Sequence, residues 1–190
     1  MFLGVTFIAV LCPTATMPIH GQTPPKEKDR LEQSVDKALV FLNTMQESDG
    51  SWQVHGQKSP AVTSLAVMAF LSAGHVPDEG PYGEAITKGI RWVLSRQLPN
   101  GIFASGTGMD GYHHGISTLM LAEVVGMTDA KLARELRPKL EKAVSVILVG
   151  QATQPNAYQG GWRYMIPSHD ADISVTGWQL LALRAAKNLG

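Results

Sequence analysis

The chain is nearly without cysteine. Cys12 is the one thiol among 190 residues, and it falls in an N-terminal stretch read below as a leader. What remains offers no disulfide, no thiol nucleophile and no cysteine metal ligand. Neither sign of charge is in excess: 16 basic and 16 acidic residues give a formal net charge of zero. Nucleic-acid binding, which leaves a basic stripe, is excluded on that ground. A long apolar run is missing too. Phe2 to Leu11 is a run of ten residues, too short to span a bilayer, so no transmembrane helix is expected. Aromatic residues make up only 7% of the chain, few for lining a closed cavity with π faces.

The short apolar run has a meaning of its own. FLGVTFIAVL is ended by Cys12-Pro13, and small and polar residues follow it up to Gly21. That is the pattern of a signal peptide over residues 1–21. Residues 22–30 are polar and Pro-rich, which reads as a linker. An exported chain without disulfides points to secretion or to a bacterial envelope or periplasm.

The rest of the sequence repeats itself. In Lys37 to Gln46, Lys88 to Gln97 and Lys142 to Gln151 the Gln lies nine positions after the Lys, and the starts lie 51 and 54 residues apart. KALVFLNTMQESDGSW and KGIRWVLSRQLPNGIF run on into a Gly-x-aromatic, ending at Trp52 and Phe103. The third copy, KAVSVILVGQ, carries an insertion before Gly160-Gly161-Trp162. Leu31, Val35, Ala38, Leu39, Leu42 and Met45 form one stripe at helical spacing, so the first helix of a unit is amphipathic and outer. A second helix, apolar almost all round, follows in each unit at 60–75, 113–126 and 171–188. Such a helix is covered on two sides. Thr63, Ser117 and Thr176 are aligned in step, as are Leu65, Leu119 and Trp178.

The expected fold is therefore all-α: three helical hairpins over 31–190, in units of about 31–80, 81–127 and 128–190, with outer and inner helix layers. Pro138 is expected to break the third outer helix in two. Asp49-Gly50 and Asn100-Gly101 turn the chain between layers. Gln46, Gln97 and Gln151 are expected to bond free backbone groups at helix ends. Trp52, Phe103 and Trp162 are expected to pack as plugs between units. Gly50, Gly101 and Gly161 complete this structural motif.

Residues 37–52, 88–103 and the interrupted third copy resemble the QW repeat of terpenoid cyclases. The resemblance covers about residues 31 to 190. It implies a partial α/α toroid like that of squalene–hopene cyclases and protein prenyltransferase β subunits, and is nearest to exported prenyltransferase/squalene oxidase repeat proteins. In such a toroid the inner helices run parallel, and their N-termini meet at one mouth. That would gather Asp110, Tyr112, His113, His114, His169, Asp170 and Asp172, with Lys58 and Ser59. Adjacent histidines point about 100° apart on a helix, so at most one of His113 and His114 faces the mouth.

HDADIS, residues 169–174, resembles the Asp-x-Asp-Asp-Thr motif of the same cyclases. Asp170 and Asp172 match the first two acids, with Asp172 in the place of the alkene-protonating general acid. Ile173 replaces the third acid, and Ser174 stands for the Thr. Against this stands N-capping, for which Asp is among the best residues. Tyr164 in GGWRY offers an aromatic face for a sugar or lipid. Met68, Met120 and Met165 read as core or cavity filler. ASGTGMDG (104–111) lacks a phosphate loop's Lys-Ser/Thr ending and reads as a connection lining the mouth.

The preferred function is a non-catalytic, exported repeat domain that binds a lipid, isoprenoid or glycan ligand, or a partner. WQLLALRAAKNLG leaves an apolar edge that further repeats beyond Gly190, a partner or a second copy would cover. Two enzyme alternatives stay open. One is a cyclase-like enzyme with Asp172 as general acid. The other is a polysaccharide lyase or glycosidase using Asp110 with Asp172. No cofactor and no metal are assigned. The only ligand set weighed joins His113 or His114 with His169 and Asp172.

Overall fold

A computed structural model describes residues 29–190. The expected leader (1–21) and most of the expected linker (22–30) lie outside the described residues. Among the described residues there are six helices: α1 (Arg30–Thr44), α2 (Pro60–Ser72), α3 (Gly83–Ser95), α4 (Asp110–Val124), α5 (Ala130–Val149) and α6 (Ile173–Lys187). The fold is all-α apart from one small hairpin, β1 (Gln53–Val54) with β2 (Gln57–Lys58). That hairpin was not expected from the sequence. His55 and Gly56 turn it with φ of 51° and 78°, the pair of positive values that a tight two-residue hairpin requires.

Helix starts follow local capping. Asp29 and Glu32 form a reciprocal capping box at α1, so the helix begins inside the segment assigned to the linker. Ser59, Asp129 and Asp172 cap α2, α5 and α6 by accepting the N–H three residues on. α5 is one unbroken helix of 20 residues with Pro138 inside it, against the expected break. Pro138 and Arg134 are both exposed. The Arg134 carbonyl, which loses its intrahelical donor at Pro138, can therefore be served by water.

The six helices form two layers. α4 packs between α2 and α6, and α3 and α5 lie outside them. α2, α4 and α6 run parallel: near their starts Ser59 meets His113 and Tyr112 meets Ser174, and a turn further on Ser64 meets Ser117. The main core gathers Trp52, Phe70, Ile86, Ile90, Met120, Leu121, Leu132 and Leu136. Coverage is uneven. α4 is buried along most of its length, but α6 buries only Val175, Gln179, Ala182 and Ala185. The α1 stripe is also largely uncovered: Leu39 is buried and Leu42 half-buried, but Leu31, Val35, Ala38 and Met45 are exposed. Met120 is core and Met68 packs against it, whereas Met165 is exposed.

Each Gln–Gly–aromatic segment is a joint. Gln46 Nε2 donates to the Gly50 carbonyl in its own turn (3.0 Å) and to the Ala85 carbonyl in α3 (2.8 Å). Gln97 does the same to Gly101 (3.0 Å) and to Lys139 in α5 (2.8 Å). The glutamine thus ties a turn to the next outer helix; it does not serve the end of its own helix. In the third copy Gln151 donates to Gly160 (2.8 Å). Gly160 has φ of 90°, matching 91° at Gly50 and at Gly101. Gly160, not Gly161, is therefore the motif glycine of the third unit.

The aromatic plugs sit on the inner helices. Trp52 Nε1 donates to the Leu42 carbonyl (2.8 Å) and Trp162 Nε1 to that of Ile147 (2.7 Å). Both carbonyls lie five residues after the repeat lysine. The backbone N–H of each plug donates to an inner-helix side chain: Trp52 to Thr63 Oγ1 (3.1 Å), Phe103 to His114 Nδ1 (3.3 Å) and Trp162 to Thr176 Oγ1 (3.0 Å). The register of the inner helices is therefore Thr63, His114, Thr176. The expected partner Ser117 is three residues out of step. Hydroxyl chemistry suggested Ser117, but an imidazole nitrogen accepts as well as a hydroxyl does.

Candidate functional site

The N-terminal ends of α2, α4 and α6 carry two polar clusters. The first centres on His113 at the start of α4. Its Nδ1 lies 3.1 Å from Ser59 Oγ, the cap of α2. Its Nε2 lies 2.6 Å from Ser105 Oγ and 3.5 Å from Thr107 Oγ1, both in the 104–111 connection. Ser105 and Thr107 also bond each other (2.7 Å). Three chain segments thus converge on one imidazole. They border a pocket of about 750 Å³ lined by His55, Gln57, Lys58, Ser59, Ser105, Thr107 and His113. Burial pushes the His113 pKa down, and the nearby Asp110 carboxylate partly opposes that shift.

Two further groups shape this cluster. Lys58 Nζ holds Asp49 at 2.7 Å, and Asp49 also accepts from Ser51 Oγ (2.6 Å) and Trp92 Nε1 (3.2 Å). The Lys58 ammonium and the Ser51 hydroxyl keep that carboxyl ionised well below the usual range. Asp110 sits in the first turn of α4, and one of its carboxyl oxygens is buried and accepts no hydrogen bond. It holds the register position of the caps Ser59 and Asp172, four residues before Thr63, His114 and Thr176.

The second cluster lies between α4 and α6. Tyr112 and Tyr164 stack with centroids 5.8 Å apart, and the Arg163 guanidinium lies 4.4 Å from the Tyr164 ring centre. The Tyr112 hydroxyl meets Ser174 Oγ. Asp172 Oδ1 accepts from Ser174 Oγ (2.6 Å) and from the Val175 N–H (3.0 Å), and Tyr164 OH reaches Oδ2 at 3.4 Å. The Ser174 hydroxyl and the Val175 N–H lower the Asp172 pKa, and Arg163 acts in the same direction. Asp170 is not a cap: Ser168 Oγ donates to it (2.7 Å) and Arg163 Nε pairs with it (3.3 Å).

The two neighbouring histidines part company. His113 borders the pocket, whereas His114 is fully buried. His114 Nδ1 accepts the Phe103 N–H, so its Nε2 carries the hydrogen given to the Ala143 carbonyl at 3.0 Å. Burial pushes its pKa down to about 4, with the Ala143 carbonyl a smaller opposing effect. Both ring nitrogens are spent, so His114 is a packing residue. His169 is exposed on the loop before α6. Among the described residues no three His, Cys, Asp or Glu side chains stand close enough to hold a metal ion. The 104–111 connection was expected at the mouth, but Ser105 and Thr107 look like ordinary loop residues until the fold returns them to His113.

Chemically, the first cluster is a ring of hydroxyls around a neutral imidazole. A hydroxyl beside an imidazole is the start of a nucleophile–base pair, but the third member of such a set is a carboxylate on the far nitrogen. Here that nitrogen faces the neutral Ser59. Compared with protein-family models and with curated proteins, the chain matches none.

The third unit adds one separate feature. Ala152 N–H donates to the Gly161 carbonyl (2.9 Å) and Gly160 N–H to the Ala152 carbonyl (2.8 Å). These two bonds close the insertion as a loop whose residues 153–159 are all exposed.

Proposed function

We propose that the chain is an exported, terpenoid cyclase-like helical repeat domain, arranged as part of an α/α toroid, that binds a ligand without transforming it. The observation that carries this is the state of Asp172. An alkene-protonating acid must hold its proton until the substrate takes it. Asp172 instead serves as the N-cap of α6, with its carboxylate stabilised in the ionised form by the donors around it. Loss of the adjacent acid to Ile173 acts the same way. The leader over 1–21 is the support for export.

The ligand seat is the His113 pocket. Its lining offers hydroxyls, an amide, two imidazoles and one ammonium beside Val54 and Val62, and no Phe, Tyr or Trp. Such a lining suits a hydroxyl-rich ligand of the glycan class better than an isoprenoid, which asks for apolar walls. The stacked Tyr112 and Tyr164 rings lie on the neighbouring turns as an additional face for a sugar.

The test is a titration of the full chain with neutral and uronate oligosaccharides, following the His113 ring protons by NMR. A saturable shift is expected. His113→Ala is expected to weaken binding by roughly tenfold, the worth of one or two lost hydrogen bonds. No shift with any oligosaccharide would remove the pocket as a glycan seat. Turnover of a polyprenyl substrate by the unmutated chain, abolished in Asp172→Asn with helicity intact, would instead establish the cyclase alternative.

A further inference from the structure

Among the described residues the joint between units is complete twice and half-made twice. The missing halves fit each other.

At the third unit, the donor side stands ready with nothing against it among the described residues. A Cβ placed on Gly50 would lie 2.6 Å from the Lys88 carbonyl oxygen in α3, and one on Gly101 would lie 3.2 Å from that of Lys142 in α5. A Cβ on Gly160 meets nothing within 4 Å. Gln46 and Gln97 each reach a carbonyl on the next outer helix, three residues before the repeat lysine, whereas Gln151 is exposed and bonds only within its own turn. The inner helix tells the same story. Gly115 lies against Gln179 of α6, but Gly177, at the same register position, has open space around it. Ile173, Leu180 and Leu181 are 92%, 61% and 52% exposed. Of their register counterparts on α4, Gly111 and Thr118 are buried, Gly111 against Arg163 and Val175, and Leu119 is half-buried against the cluster of Val175 and Ala182.

At the first unit, the receiving positions have no cover among the described residues. Aligned on the repeat lysine, Val35, Ala38 and Phe41 of α1 correspond to Ile86, Gly89 and Trp92 of α3. Those three α3 residues are buried where α3 meets the preceding unit: Gly89 lies against the Trp52 ring and Trp92 bonds Asp49. On α1 the same positions are exposed, with Val35 at 42% and Phe41 at 60%. Position 38 is small, as at Gly89 and Ala143, so it can accept the turn and plug of a preceding unit.

We propose that the chain associates head to tail, the α1–α2 face of one copy seating on the α5–α6 face of another. In that joint Gln151 of one copy donates to the Ser34 carbonyl of the next, the acceptor three residues before Lys37. The occupant is a second copy of this chain because the described residues carry both halves in matching register. The contact is heterologous, so it closes into a ring or continues as an array according to its rotation.

The experiment is sedimentation velocity on the full chain, from roughly 1 to 100 µM, the range in which a weak to moderate protein contact saturates. The expected mass rises with concentration above the 20.5 kDa of one chain. Ala38→Arg blocks the receiving face and Gly177→Arg the donor face. Both positions are open, so both variants keep the fold, with unchanged helicity as the check. Each alone is expected to stay monomeric. Mixed in equal amounts, they are expected to form a dimer that grows no further, since one joint remains intact. A wild-type chain monomeric throughout, as it would be if its own N-terminal segment covered α1, overturns the proposal. So do variants that still associate alone, or a mixture that stays monomeric.

Discussion

Lowering the pH from 7 to about 4 is expected to remove about 3 kcal/mol of folding stability through His114 alone. Its folded pKa is about 4 against an ordinary 6.5, and each unit of difference is worth about 1.4 kcal/mol. The sign follows from which state takes the proton. Between pH 6.5 and 4 the unfolded chain binds a proton at this residue and the folded chain does not, so acid favours unfolding. The stability is full above pH 6.5 and is lost as the pH falls toward 4. The cause is local. A proton on Nδ1 would face the Phe103 N–H, turning an accepted hydrogen bond into a clash of two donors. His113 shifts in the same direction and adds to the slope. Urea unfolding at several pH values measures the effect. Threonine does this task at 63 and 176, so His114→Thr is the informative variant. It is expected to be less stable at pH 7, because the bond to Ala143 is lost, and much flatter in its pH dependence. An unchanged slope in that variant would mean the acid sensitivity lies elsewhere.

Gly50→Ala is expected to cost at least about 3 kcal/mol, a large share of the 5–15 kcal/mol that holds most domains together. Two effects add. An L-residue at φ of 91° is strained, which costs on the order of 1–3 kcal/mol. The new methyl would also sit 2.6 Å from the Lys88 carbonyl oxygen, and a backbone atom inside a helix cannot swing away. α3 would have to back off, loosening the Gln46 bond to Ala85 and the contact of Trp52 with Gly89. The same substitution at the other two turns separates the effects. Gly101 has softer contacts, 3.1 Å to a Val146 methyl and 3.2 Å to the Lys142 carbonyl. Gly160 keeps the strain but has open space. The expected order of loss in dilute protein is Gly50, then Gly101, then Gly160, with the last near 1–2 kcal/mol. Equal losses at all three would show that dihedral strain dominates and that the turns do not brace the next helix.

The helical architecture was legible because its signals are local and repeated. The lysine–glutamine spacing, the Gly-x-aromatic ends and the apolar second helices marked five of the six helices to within a few residues. α4 begins at Asp110, three residues before the expected start, because no side-chain cap marks its N-terminus. The failures were of another kind. Pro138 obeys a propensity rule that an exposed helix face can override. The register of the inner helices was misread because His114 performs a hydroxyl's task, which composition cannot reveal. The exposed stripe of α1 shows that helical periodicity identifies a face and says nothing of what covers it. The site was legible only in part. The repeat brought Ser59 and His113 to one end of the inner helices, where they meet at 3.1 Å, but no local pattern marked Ser105, 8 residues before His113, as its other partner.

The pinned loop at 152–160 has a consequence for how the molecule can be cut. Its two ends are held to each other by hydrogen bonds, and the segment between touches the rest of the fold little. Covalent continuity there is expected to be dispensable. Chymotrypsin acting at Tyr158, which is 50% exposed, is expected to leave two fragments that travel together on a sizing column and separate only in denaturant. Produced as separate polypeptides, the same two pieces should reassemble by complementation. α6 would then be delivered to α4 in trans, as a detachable final stave of the bundle.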